Sequence, residues 1–108
     1  MKNLVLIALV LLLTTGLVAA FAAPQGDVAK GKQVYAKNNC KVCHQIAKEG
    51  SPKSVLDGVG AKYNEDQMKK WIRTPKQMNP KSTMLAYPAT KISDADLADL
   101  VAYMMSLK

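Results

Sequence analysis

The chain has 108 residues, with 15 Lys and Arg against 8 Asp and Glu, for a formal net charge of +7. That length holds one small domain and excludes a multidomain enzyme with a second core. Seventeen of the 53 apolar residues fall in Met1–Ala22, and the 86 residues after them contain no Phe and only 14 Leu, Ile or Val. That is below the roughly 20% at which a charged chain tends to disorder, so either the domain is loose or something apolar that is not protein completes its core.

Lys2 is followed by ten consecutive apolar residues, Leu4 to Leu13, then by Thr14-Thr15-Gly16 and by Ala20-Phe21-Ala22. Residues 1–22 read as a signal peptide cleaved after Ala22. The competing reading is an uncleaved anchor, because Leu4–Ala23 is a run of 20 uncharged residues and about 20 can span a bilayer. Both readings place the remaining domain, 23–108, in a periplasm or otherwise outside the cytoplasmic membrane, and membrane association is expected only if the leader stays.

Ala23–Gly26 reads as a tether. Asp27 then caps a helix in which Val28, Gly31, Val34 and Tyr35 recur at helical spacing, with Asn38-Asn39 as its exit. Gly31 is costly there, by about 1 kcal/mol against Ala, so it is either tolerated or marks close approach of another helix.

Cys40-Lys41-Val42-Cys43-His44 follows, and it contains both cysteines and the only histidine of the chain. A disulfide across this spacing would close too small a loop to staple a fold. A thioredoxin-type site would need a surrounding strand-helix-strand pattern, which the sequence lacks. A zinc site would need a fourth Cys or His ligand. Covalent haem attachment remains: two thiols at this spacing can add to the two vinyl groups on one haem edge while the adjacent imidazole meets the iron. A buried haem would also supply the missing apolar interior and staple a small scaffold.

Gly50-Ser51-Pro52 and Gly58-Val59-Gly60 predict loop with one short helical turn. Asn64 offers a cap, Glu65 and Asp66 sit at the positive end of the next helix, and Met68, Trp71 and Ile72 form its apolar positions. Pro75 stops that helix, and residues 74–90, with Pro75, Pro80 and Pro88, read as one long extended loop of functional character. Ser93 and Asp96 fit a capping box, with Ile92 and Leu97 as its staple, before a last helix lined by Leu97, Leu100, Val101 and Met104. The predicted fold class is therefore all-α. Of the methionines after the leader, Met68 and Met104 belong to helix faces and Met105 adjoins one. Met78 and Met84 lie in the Pro-rich loop, where either thioether can be held toward iron.

From Asp27 to Lys108 the chain resembles the class I c-type cytochromes, through Gly31 and Tyr35, the Cys-x-x-Cys-His motif, the Pro-containing loop, and Leu100 and Tyr103 in the last helix. The resemblance implies a small cytochrome c fold of three main helices around one covalently attached haem c, bound by Cys40 and Cys43. It implies His44 and Met84 as axial ligands of the iron, because Pro80-Lys81-Ser82-Thr83-Met84 looks like the family's Pro-x-x-x-Met segment. It also implies that Gly31 marks the crossing with Leu100 or Tyr103, and that the Pro52 carbonyl receives a hydrogen bond from the proximal imidazole. Trp71 either donates to a haem propionate or simply packs.

Iron with both axial positions filled leaves no place for a substrate, so the expected role is one-electron transfer and not an enzyme. After Ala22 the chain carries 14 basic against 8 acidic residues, which suits redox partners with acidic docking surfaces. Lys37, Lys41, Lys48, Lys53, Lys81 and Lys91 fall in segments expected around the haem edge. No small-molecule substrate is expected, nor nucleic acid, since aromatic residues do not interleave with the lysines. Three functions stay open: a diffusible monohaem carrier, a haem subunit of a membrane or periplasmic oxidoreductase complex, and a gas or redox sensor whose Met84 dissociates.

Overall fold

The computed structural model describes residues 26–108; the leader at 1–22 lies outside the described residues. The first helix, α1 (Val28–Lys37), starts where Asp27 Oδ1 accepts from the Lys30 backbone N–H at 2.9 Å. The Asp27 N–H in turn donates to Asp99 Oδ1 at 2.9 Å, tying the start of α1 to the last helix. Asn38 closes α1, its Nδ2 donating to the Val34 carbonyl, and Asn39 turns the chain with a φ of 56°. This is the predicted exit.

A 3₁₀ turn (Cys40–Val42) leads into three short strands, β1 (His44–Ile46), β2 (Glu49–Gly50) and β3 (Ser54–Val55). β1 is central, antiparallel to β2 and parallel to β3, with Gln45 opposite Gly50 and His44 opposite Ser54. The fold is therefore helical with a small sheet, which corrects the all-α expectation. Strands of two or three residues are too short to show a period-2 pattern in sequence. The hairpin turn, Ala47-Lys48, has positive φ at both residues (50° and 68°), as a two-residue type I′ connection requires, yet contains no Gly, Asn or Asp. Asp57 holds it from outside by accepting from the Ala47 N–H at 2.9 Å.

The short α2 (Val59–Lys62) is the predicted single turn of helix, followed by α3 (Glu65–Arg73). At the start of α3, Asn64 accepts from the Gln67 N–H (2.9 Å) while Gln67 Oε1 accepts from the Asn64 N–H (3.0 Å), a complete capping box. Thr74 ends α3 as predicted, but Pro75 then opens a further turn, α4 (Pro75–Met78), from its first position. The expected loop is thus shorter. A proline that stops one helix is also well shaped to begin another. From Asn79 to Ser93 the chain has no helix or strand.

The last helix, α5 (Asp94–Ser106), the longest among the described residues, begins with Ser93 Oγ accepting from the Asp96 N–H at 3.2 Å. The reciprocal half of the expected box is missing, because the Asp96 side chain is a methylene shorter than the Glu or Gln that usually reaches back. α1 packs across α5, and Gly31 lies at the crossing, where an added Cβ would collide with the Asp99 carbonyl oxygen and come within 2.7 Å of Tyr103 Cβ. The crossing partners are therefore Asp99 and Tyr103, with Tyr35 meeting Tyr103 edge-on at 5.8 Å. Gly60 makes a second close approach, donating its N–H to the Leu107 carbonyl at 2.7 Å, with the carbonyls of Met104 and Met105 where a side chain would be. Three helices of nine or more residues, α1, α3 and α5, and two four-residue turns enclose a core of Val34, Val59, Met68, Ile72, Ile92, Leu97, Leu100, Val101, Tyr103 and Met104. No helix among the described residues is long and apolar enough to cross a membrane.

Candidate functional site

The 3₁₀ turn and β1 present Cys40, Cys43 and His44 consecutively, with Cys40 and His44 half-buried and Cys43 exposed. Both cysteines are free thiols. Burial, reinforced by the neighbouring Cys43, pushes the Cys40 thiol up to about 11, against the lowering effect of its backbone hydrogen bond. An activated redox cysteine shows the opposite shift, toward thiolate at neutral pH, so a thiol–disulfide exchange site does not fit this environment.

Burial holds the His44 imidazole below its usual pKa, and the Ser54 backbone acts on the ring in the opposite direction. The ring is thus neutral at pH 7, with a lone pair available to a metal. Its Nδ1 is buried and has no hydrogen-bond partner. The expected bond to Pro52 is therefore not formed. The residue facing His44 across the parallel pair is Ser54, since β3 places that backbone, and not the exposed Pro52, alongside β1.

Met84 approaches from the segment after α4. It is half-buried and packs against the core, whereas Met78 ends α4 outside that cluster. Met84 lines an open cleft of about 630 Å³ together with Arg73, Pro75, Ser82, Thr83 and Leu85. The cleft covers the Met84 side only; Cys40, Cys43 and His44 are not in its wall. Tyr87, three residues on from Met84, is half-buried, and burial raises its hydroxyl pKa.

Sequence reasoning missed Arg73, the only arginine of the chain. Its Nη1 donates to the carbonyls of Tyr87 (2.8 Å) and Ile92 (2.5 Å), and its Nη2 donates to Asp94 Oδ1 (2.8 Å). The acceptors lie 14 to 21 residues away and two are backbone carbonyls, so nothing in the sequence marks them.

Two further buried polar atoms have no partner: Tyr35 Oη and Trp71 Nε1. Burial, with Cys40 and Tyr103 adding to it, raises the Tyr35 hydroxyl to about 12, so it stays a donor at any ordinary pH. A buried donor left unpaired costs about 1–3 kcal/mol. Two such atoms, beside two free thiols and a neutral imidazole, suit a polar-edged macrocycle with carboxylate arms better than a wholly proteinaceous core. The residues present therefore fit haem c.

Comparison with known proteins agrees with this geometry. The cytochrome c family model matches residues 28–108, and the chain belongs to the cytochrome c family. It is 30% identical over 104 residues to cytochrome c oxidase subunit 2 of Alkalihalophilus pseudofirmus, matching 86% of this chain but spanning only 30% of that subunit's length. It is 26% identical to cytochrome c-554 of Methylosinus trichosporium, covering 96% of this chain and 92% of that protein. A chain of the SoxXA crystal structure from P. pantotrophus shares the fold, with a TM-score of 0.66 at 23% identity over 81% of this chain and 85% of that one. A haem electron-transfer role follows from the family.

Proposed function

We propose that this chain is a monohaem electron carrier working between redox proteins outside the cytoplasmic membrane. In this reading Cys40 and Cys43 hold one haem c through thioether bonds, and His44 and Met84 are its axial ligands. Bound there, haem c supplies a one-electron couple. The chain's own residues do the rest. His44, kept neutral by burial, offers a nitrogen lone pair from β1. The half-buried Met84 offers a thioether, a neutral soft ligand that favours the reduced state, and with both positions filled there is no place for a substrate. Trp71 Nε1 and Tyr35 Oη are buried donors free to satisfy carboxylate or other acceptors.

The exposed residues suit transfer to a partner. Val42, between the cysteines, and Leu85, beside Met84, are 68% and 66% exposed, each an apolar residue adjoining a site residue in sequence. Lys37, Lys41, Lys48, Lys53, Lys81 and Lys91 are all exposed, and a positive surface of this kind steers association with acidic partners.

The observation that carries the proposal is the pair of free thiols beside a half-buried, neutral imidazole, with Met84 half-buried against the same core. Protein matured in a haem-attaching host should be coloured, should keep its pigment in acidified organic solvent, and should show the weak near-infrared sulfur-to-iron band. Met84→Ala should abolish that band with haem still attached, and Met78→Ala should keep it. Loss of the band in Met78→Ala alone would reverse the ligand assignment, and colourless protein would end the proposal. Ready binding of carbon monoxide by the reduced wild-type protein would favour a sensor instead.

The similarity to an oxidase subunit favours a second reading, a haem domain serving a fixed oxidoreductase partner. A catalytic chain that co-purifies, or Met1–Ala22 retained in the mass of the exported protein, would support it over the diffusible carrier.

A further inference from the structure

Resting on the Met84 ligand reading, we infer that Arg73 is the positioning residue that keeps Met84 seated, by clamping the C-terminal half of its loop to α3. The loop before Met84 is pinned locally: Asn79 Oδ1 accepts from the Lys81 N–H, the Asn79 carbonyl from the Ser82 N–H, and Ser82 Oγ from the Met84 N–H at 3.2 Å. These are short-range turns, and they fix the loop's shape without fixing its place on the domain.

Its place is set from the other side. The Tyr87 N–H donates to the Ile72 carbonyl at 3.0 Å, and the Tyr87 carbonyl receives Arg73 Nη1 at 2.8 Å, so consecutive residues of α3 hold both backbone polar groups of one loop residue. The same Nη1 reaches the carbonyl of Ile92, which is 1% exposed and ends the loop. Arg73 thus bridges the two ends of the segment Tyr87–Ile92, while its own side chain lines the cleft that Met84 lines. The ion pair with Asp94 is secondary. Asp94 is 93% exposed, and such pairs contribute little. Charge-assisted bonds to half-buried carbonyls are stronger and directional, and the planar guanidinium fork places two nitrogens so that one serves the carbonyls while the other meets Asp94.

The test uses the haem-loaded protein and compares the near-infrared sulfur-to-iron band with the far-ultraviolet helix signal as temperature rises. Arg73→Met removes the donors. Arg73→Lys keeps the charge, but its ammonium ends one atom short of the Nη1 position that serves both carbonyls. In each variant the band should vanish at a temperature below that at which the helices melt, a gap wider than in the wild type. Because carbon monoxide needs the Met84-dissociated state, the apparent affinity of the reduced protein for it should rise about tenfold or more in Arg73→Met. Asp94→Asn should leave both readouts at wild-type values. If the gap between loss of the band and loss of the helix signal is no wider in Arg73→Met and Arg73→Lys than in the wild type, Arg73 is only a structural residue and the inference is overturned. Retention of the band in Met84→Ala would instead overturn the ligand reading itself, a result independent of Arg73.

Discussion

At Gly31 two energies of opposite sign meet. Alanine is the better helix former by about 1 kcal/mol, and on an isolated α1 the substitution Gly31→Ala would stabilise. In the folded chain the new Cβ meets the Asp99 carbonyl and Tyr103 Cβ, neither of which is the free end of a flexible side chain. Overpacking of this kind costs about 1–3 kcal/mol, so the collision wins. Gly31→Ala should lower the thermal midpoint of the haem-loaded protein, and a midpoint at or above wild type would show that the α1–α5 crossing can open without loss. Residues such as Gly31, Cys40, Cys43 and His44 were legible in the sequence because each is an exception to its surroundings: a glycine inside a helical pattern, or reactive groups at a spacing that covalent chemistry demands. Arg73 was not legible. An arginine in the last turn of a helix reads as an ordinary C-terminal charge, and its partners are backbone carbonyls that every sequence has.

Among the elements, the ends of helices separate two caps that look alike in sequence. Asn64 and Gln67 satisfy each other's backbone N–H groups, whereas Ser93 caps Asp96 in one direction only. Removing a cap costs about 1 kcal/mol. Asn64→Ala should therefore destabilise by about that amount in denaturant melts, and Gln67→Ala should cost a measurable fraction of it by freeing the Asn64 N–H. Asp96→Ala should cost less than Gln67→Ala, because it removes only a charge near the helix start. Equal losses for Gln67→Ala and Asp96→Ala would mean that the second box closes in solution. The helices themselves were predictable from period and caps. The sheet was not: β1 to β3 are shorter than any periodic signal, and their turn uses Ala47 and Lys48 at positive φ where Asn or Gly would have announced a hairpin. That miss also hid that Ser54, and not Pro52, is the residue paired with His44 in the sheet, which only the parallel register of β1 and β3 reveals.

For the whole molecule, the sparse aliphatic content after Ala22 becomes a statement about cooperativity. Among the described residues ten hydrophobic side chains form the buried core, and Ile92 and Val101 are its largest fully buried members. Ordering each residue's backbone costs about 1–2 kcal/mol, and so small an interior leaves little to offset it unless another apolar body adds to it. The contacts divide accordingly. The α1–α5 crossing is self-contained, through the fit at Gly31, the Asp27–Asp99 hydrogen bond and the Tyr35–Tyr103 pair, none of which needs a cofactor. The segment 79–92 is held instead by turns of its own and by a few bonds to α3, and its Met84 is only half-buried. Protein made without haem, as wild type in a host lacking attachment machinery or as Cys40→Ala with Cys43→Ala, should therefore keep part of its helix signal from α1 and α5. It should melt without a sharp transition and exchange the amide hydrogens of 79–92 at nearly unprotected rates. Haem attachment should restore both the transition and the protection. A haem-free chain that melts as sharply as the loaded one, with 79–92 protected, would mean that the protein alone completes its interior and that the fold does not depend on the cofactor.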